Sequence, residues 1–159
     1  TNELFFLPND TEIKLIEDTA VSINYFFKEL ENINIKSATF FIDSCFSGNA
    51  RDNKTILTGV RPITIVESDI NFPQNYTIFS ASSGNEFSNS LPEAEHGLFS
   101  FYLMKGLEGE ADINRDSKIS AKELHEFTTK QVLMESVRLG TEQNSRLFGN
   151  REKILATFK

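Results

Sequence analysis

Cys45 stands in the run Phe40-Phe41-Ile42-Asp43-Ser44-Cys45-Phe46-Ser47-Gly48, where an apolar stretch gives way to small polar residues. It is the only cysteine of 159 residues, so no disulfide can form within the chain. A lone cysteine is by default a small buried hydrophobe, but these neighbours suit a nucleophile. A strand that ends in a turn of small residues presents a thiol at its tip, and the Cys45 backbone N–H could donate to an oxyanion formed at a substrate carbonyl. Asp43, two positions earlier, works against thiolate formation, because a nearby negative charge favours the neutral thiol. Its presence calls for another purpose, and holding a cationic substrate group is the natural one.

A second set of residues suits a hard cation. Asp112-Ile113-Asn114-Arg115-Asp116-Ser117-Lys118-Ile119-Ser120-Ala121-Lys122-Glu123 follows the EF-hand pattern. Oxygen ligands fall at the first, third, fifth, ninth and twelfth places (Asp112, Asn114, Asp116, Ser120, Glu123), and the backbone carbonyl of Lys118 fills the seventh. Ile119 is the apolar eighth residue. The departure is Ser117, where the pattern wants glycine for a sharp turn, so a strained backbone and weak affinity are expected there. The cation that fits this spacing is Ca2+ rather than Mg2+, which demands a smaller and more rigid cage. The bland alternative is an Asp-rich connection between helices that never meets calcium. A bound calcium is expected to pin the following helix rather than to join the chemistry.

These groups need elements to position them. Residues 4–7 read as a short strand stopped by Pro8-Asn9-Asp10. Residues 19–31 carry apolar side chains at helical spacing. Residues 38–42 form a continuous apolar run, the pattern of a central strand buried on both faces. Further strands are expected at 62–66, 76–81 and 153–158, and helices at 97–107 and 120–139. Polar segments at 49–60 and 82–95 read as loops, the second of functional size. The alternation of strands and helices implies an α/β layered domain, in which sites gather at the carboxyl ends of the strands. Cys45 falls at such an end.

At this point the sequence resembles a family. Asp43-Ser44-Cys45-Phe46-Ser47-Gly48 is similar to the nucleophile motif of metacaspases and bacterial caspase-like peptidases. Phe79-Ser80-Ala81-Ser82-Ser83-Gly84-Asn85-Glu86-Phe87-Ser88 resembles the strand and loop that line their primary specificity pocket, and His96-Gly97-Leu98-Phe99-Ser100-Phe101-Tyr102-Leu103 the helix that follows. The three blocks occur in the family's order. The resemblance implies a caspase-like sandwich, a mostly parallel central sheet with helices on both faces, of which residues 1–159 are the C-terminal part without the N-terminal strands. It implies a cysteine endopeptidase with Cys45 as nucleophile. Asp43, Ser80, Ser82 and Glu86 would bind substrate, and Asp43 would select Arg or Lys before the cut. No arginine occupies the matching pocket positions, which disfavours cleavage after Asp.

A cysteine protease needs a histidine to take the thiol proton. Caspase spacing places it roughly 50 residues before the cysteine, which from Cys45 runs off the start of the chain. Thr1-Asn2-Glu3-Leu4-Phe5-Phe6-Leu7-Pro8 resembles the strand that follows the family's His-Gly motif. The catalytic histidine is therefore expected before Thr1, on an N-terminal fragment of the same precursor. Autoprocessing after Lys or Arg would separate the two pieces, which stay together; the other explanation is a truncated fragment. His96 takes the place of a structural His-Gly, and His125, on the polar side of the last helix, is expected to be solvated.

The net charge of −7 argues against nucleic-acid and anionic-membrane partners, which need a basic surface. No apolar run is long enough to span a bilayer, and a cytoplasmic location is the matching expectation. Expected partners are the His-bearing fragment and Arg- or Lys-containing peptides. The competing readings are a non-catalytic caspase-like peptide-binding module and a calcium-binding adaptor with Cys45 as inert core. The intact Asp-Ser-Cys motif argues against the first, and selective alkylation of Cys45 would separate the second.

Overall fold

The computed structural model describes residues 5–8, 10–43, 73–82, 90–91 and 96–159. Phe5–Phe6 (β1) pairs antiparallel with Val21–Ser22 (β2), and a short helix, Ile16–Thr19 (α1), lies between them. The next helix is Ile23–Asn32 (α2) rather than 19–31. Its start is set by Ser22, whose hydroxyl accepts a hydrogen bond from the Tyr25 N–H at 3.2 Å, a side-chain cap for an otherwise orphan donor.

The main sheet is built from Ala38–Ile42 (β3), Tyr76–Ser80 (β4) and Arg146–Gly149 (β8). Between them in the chain come Ser90–Leu91 (β5), His96–Gly97 (β6), the helix Leu98–Lys105 (α3), Lys118–Ser120 (β7) and the helix Ala121–Arg138 (α4), and Ile154–Thr157 (β9) follows. β3 runs parallel to β4, and β8 runs antiparallel to β4 on its other side. The chain is thus mixed α/β, and the described strands of this sheet form one parallel and one antiparallel pair. β8 carries no alternating pattern, and Arg146 and Gly149 at its ends read as loop. Residues 153–158 do form a strand, but β9 pairs with β7 and not with the main sheet. The strand expected at 62–66 lies outside the described residues.

Helices cover both faces of this sheet, as the alternation along β4 shows. Tyr76 and Ile78 point to one side and pack with Ile23 and Phe27 of α2 and with Phe40. Phe79 and Ala81 point to the other and pack with Leu98, Phe99 and Leu103 of α3 and Leu124 and Val132 of α4. The first cluster is held by edge-to-face rings: Phe27 and Phe40 have centroids 5.2 Å apart at 78°. Such pairs add about 0.5–1.5 kcal/mol to the burial of their area. Every residue of β4 is buried, whereas Phe41 of β3 is 43% exposed. The doubly buried central strand is therefore β4, because it has a neighbour on each side. Among the described strands β3 is at an edge.

α3 continues through one π-helical turn, Gly106–Glu110, interrupted at Gly109 with φ 125°. The chain then crosses the 112–120 loop into α4. No helix among the described residues is long and apolar enough to cross a membrane.

Candidate functional site

Because β3 and β4 are parallel and in register, Ile42 opposite Ser80, their carboxyl ends lie at the same edge of the sheet. The ladder runs one step further, with the Ala81 N–H donating to the Ile42 carbonyl at 2.9 Å. Asp43 leaves β3 at this point, next to Ser80-Ala81-Ser82. Asp43 and the two serines, 37 to 39 positions apart in sequence, are so brought together (80 − 43 and 82 − 43). Cys45 and Glu86 lie outside the described residues, as does the rest of the nucleophile motif, Ser44 and Phe46 to Gly48.

Asp43 is half-buried, and its Oδ2 accepts a hydrogen bond from the Ser100 hydroxyl at 2.6 Å. Ser100 is the third residue of α3. An O–H···O− bond of this length is of the charge-assisted kind, about twice as strong as a neutral one. Ser80 donates to the carbonyl of Ser82 at 3.0 Å and so braces its own turn. Ser80 is 1% and Ser82 2% exposed, so neither turns its side chain to solvent. The Ser82 hydroxyl is buried without a hydrogen-bond partner among the described residues.

Behind this edge lies a buried polar brace that the sequence did not advertise. The segment 141–145, Thr-Glu-Gln-Asn-Ser, is polar throughout, a composition that suits solvent. Instead Gln143 is fully buried, donates from Nε2 to the Ala81 carbonyl at 2.9 Å, and takes a bond from its own N–H to the Ser136 hydroxyl at 3.1 Å. Ser145 is buried against Thr129, their hydroxyls 2.6 Å apart. Its carbonyl is 3.2 Å from Nε2 of His125.

The expectation of a solvated His125 is corrected by this contact. The ring is half-buried between α4 and the 141–145 segment, and its Nδ1 is buried without a hydrogen-bond partner among the described residues. Burial is the main influence and lowers its pKa below 6.5, with smaller contributions from Arg151 and Arg146 in the same direction; the Ser145 carbonyl and Glu126 oppose it. β6 places the His96 backbone opposite Leu91, just before α3.

The 112–123 loop is braced by its own side chains. Asp112 Oδ1 and Asn114 Oδ1 both accept from the Asp116 N–H at 3.1 and 2.8 Å, Asp112 Oδ2 from Ser117 at 3.0 Å, and Asp116 Oδ1 from Lys118 at 2.9 Å. Arg115 and Ser117 take the left-handed conformation, φ 60° and 63°, so Ser117 does adopt the turn that glycine would take without strain. Ile119 is fully buried on β7, and the Phe158 N–H donates to the Ser117 carbonyl. Glu123 forms a reciprocal cap with Ser120: its Oε2 accepts from the Ser120 N–H at 3.0 Å and from the hydroxyl at 2.8 Å. The all-oxygen donor set suits calcium in kind. In this arrangement Glu123 is drawn to the first turn of α4, and among the described residues no three His, Cys, Asp or Glu side chains gather as a metal-holding group.

Sequence reasoning gives Ser100 and His125 no part in the site and passes over Gln143 and Ser145. Only polar residues in unremarkable positions marked them. A scan against protein-family models and a search of curated proteins find no match to this chain.

Proposed function

We propose that this chain is part of a caspase-like cysteine endopeptidase that cleaves after Arg or Lys, with Cys45 as the nucleophile. The observation that supports this reading is the shared carboxyl edge of β3 and β4, where Asp43 stands beside Ser80-Ala81-Ser82 and the chain leads on within two residues to Cys45. Parallel α/β sheets bind ligands at that edge. In the proposed reaction the Cys45 sulfur attacks the scissile carbonyl carbon, and its thiol proton passes to a histidine proposed to lie upstream of Thr1. The oxyanion is met by the Cys45 N–H. The proton then goes to the leaving amine, and water releases the acyl group from sulfur. Asp43 pairs with the cationic side chain of the residue before the cut.

The test is hydrolysis of peptidyl amides ending in Arg, Lys or Asp by the full-length protein and its Cys45→Ala variant. Arg and Lys substrates should be cleaved, Asp substrates not, and Cys45→Ala should fall to background. Cleavage that survives Cys45→Ala, or that ignores the residue before the cut, overturns the reading.

We also propose Ca2+ as a ligand of the 112–123 loop, held by Asp112, Asn114, Asp116, the Lys118 carbonyl and Glu123. The left-handed turn at Ser117, kept without glycine, supports it. Calorimetric titration with calcium should give heat and raise the melting temperature. Neither response removes calcium from the account.

A further inference from the structure

We infer that Ser100 is a positioning residue for substrate selection, holding the Asp43 carboxylate in the orientation that meets an Arg or Lys side chain; this rests on the peptidase reading above. Asp43 is the first residue beyond β3, so the strand fixes its backbone on the N-terminal side. The 2.6 Å bond from Ser100, 57 positions away, supplies a second anchor. That anchor is itself immobile, because Leu98 and Phe99 in the same first turn of α3 are fully buried against Phe79 and Ala81. The core therefore sets where the donor stands.

The chemical type of the donor matters as much as its place. A carboxylate offers about four lone-pair sites, and a hydroxyl occupies one of them. A neutral donor thus orients the carboxylate without cancelling its charge. A lysine or arginine in the same position would neutralise it.

The experiment measures kcat and KM separately on the full-length protein with peptidyl-Arg and peptidyl-Lys amides. Ser100→Ala should raise KM about tenfold, the usual worth of one hydrogen bond to a charged group, and leave kcat within about twofold of wild type, since Asp43 binds and does not react. Ser100→Thr keeps the hydroxyl and should restore KM. In the Asp43→Asn background Ser100→Ala should add nothing, whereas a merely structural role would add its effect to either background. Should Ser100→Ala fail to fold, Ser100→Cys, of similar size and a weak donor, replaces it in the same comparison. An unchanged KM in a protein that cleaves after Arg or Lys, or an additive double variant, overturns the inference alone. A wild-type protein that cleaves after neither residue overturns the peptidase reading and the inference with it.

Discussion

Gln143 donates its side-chain amide to the carbonyl of Ala81 across 2.9 Å, with both residues fully buried, and so ties the segment after α4 to the end of the sheet's central strand. The bond gives a donor to a buried carbonyl at the point where β4 stops. Gln143→Ala leaves that carbonyl without its donor and opens a void, and should cost about 2–3 kcal/mol in urea unfolding. Gln143→Glu keeps the shape but sets an acceptor against an acceptor, and should cost at least as much. An unchanged midpoint in both variants would show that the brace carries no stability.

His125 makes stability depend on pH with a definite sign. Burial holds its folded pKa below 6.5, so the unfolded chain binds the proton more readily. Its contribution is fully present above about pH 6.5 and is lost as pH falls below that value. Denaturation at pH 7.5 and 5.5 should therefore show a larger loss in wild type than in His125→Gln, in which nothing titrates at this position. Carboxylates common to both proteins cancel in the comparison. Equal losses would mean that His125 takes up its proton as readily folded as unfolded.

Ser117 offers a route to a more stable loop. Left-handed backbone at a residue with a Cβ costs about 1–2 kcal/mol, and glycine gives back part of the gain through a more flexible unfolded chain. Ser117→Gly should therefore raise stability by about 1 kcal/mol in thermal or chemical unfolding. Where calcium binds, the same change should tighten it. A fall in melting temperature would show that the Ser117 side chain has a role the backbone does not explain.

Gly106, just beyond α3, packs against α4. A Cβ there would stand 2.5 Å from Cδ1 of Leu124 and 3.1 Å from Cδ1 of Phe127. Leu124 is fully buried, so it has no open space into which to retreat. Gly106→Ala should lose about 1–3 kcal/mol to overpacking, more than the roughly 1 kcal/mol of helix preference that alanine brings. Greater stability of this variant would mean that the two helices part at little cost.

Much of the architecture was legible in local patterns. The apolar run 38–42, the strand at 76–80 and the helices at 98–105 and 121–138 fall within a few residues of where periodicity put them. The turn at 112–120 follows from oxygen-bearing side chains at alternate places, each accepting a nearby N–H. These features depend on contacts within a few residues, which is why spacing reveals them. β8 was not legible, because it becomes a strand only by lying against β4. Nor was the burial of Gln143, whose polarity suits a surface loop until a distant carbonyl needs a donor. Periodicity also exchanged the ranks of β3 and β4: both are apolar, and only the order of strands decides which has two neighbours.

The amino-acid sequence by itself determined that Cys45 follows Asp43 at the end of an apolar strand, and that the 112–123 segment carries oxygen ligands at calcium-binding spacing. Only the tertiary structure decided what surrounds Asp43. Parallel pairing carried β3 and β4 to one edge, and packing of Leu98 and Phe99 against Phe79 and Ala81 brought the Ser100 hydroxyl to the carboxylate. The physical reason is one of range. A residue's neighbours in sequence set its backbone, but its charge and orientation answer to groups that arrive from elsewhere in the chain once the core has closed.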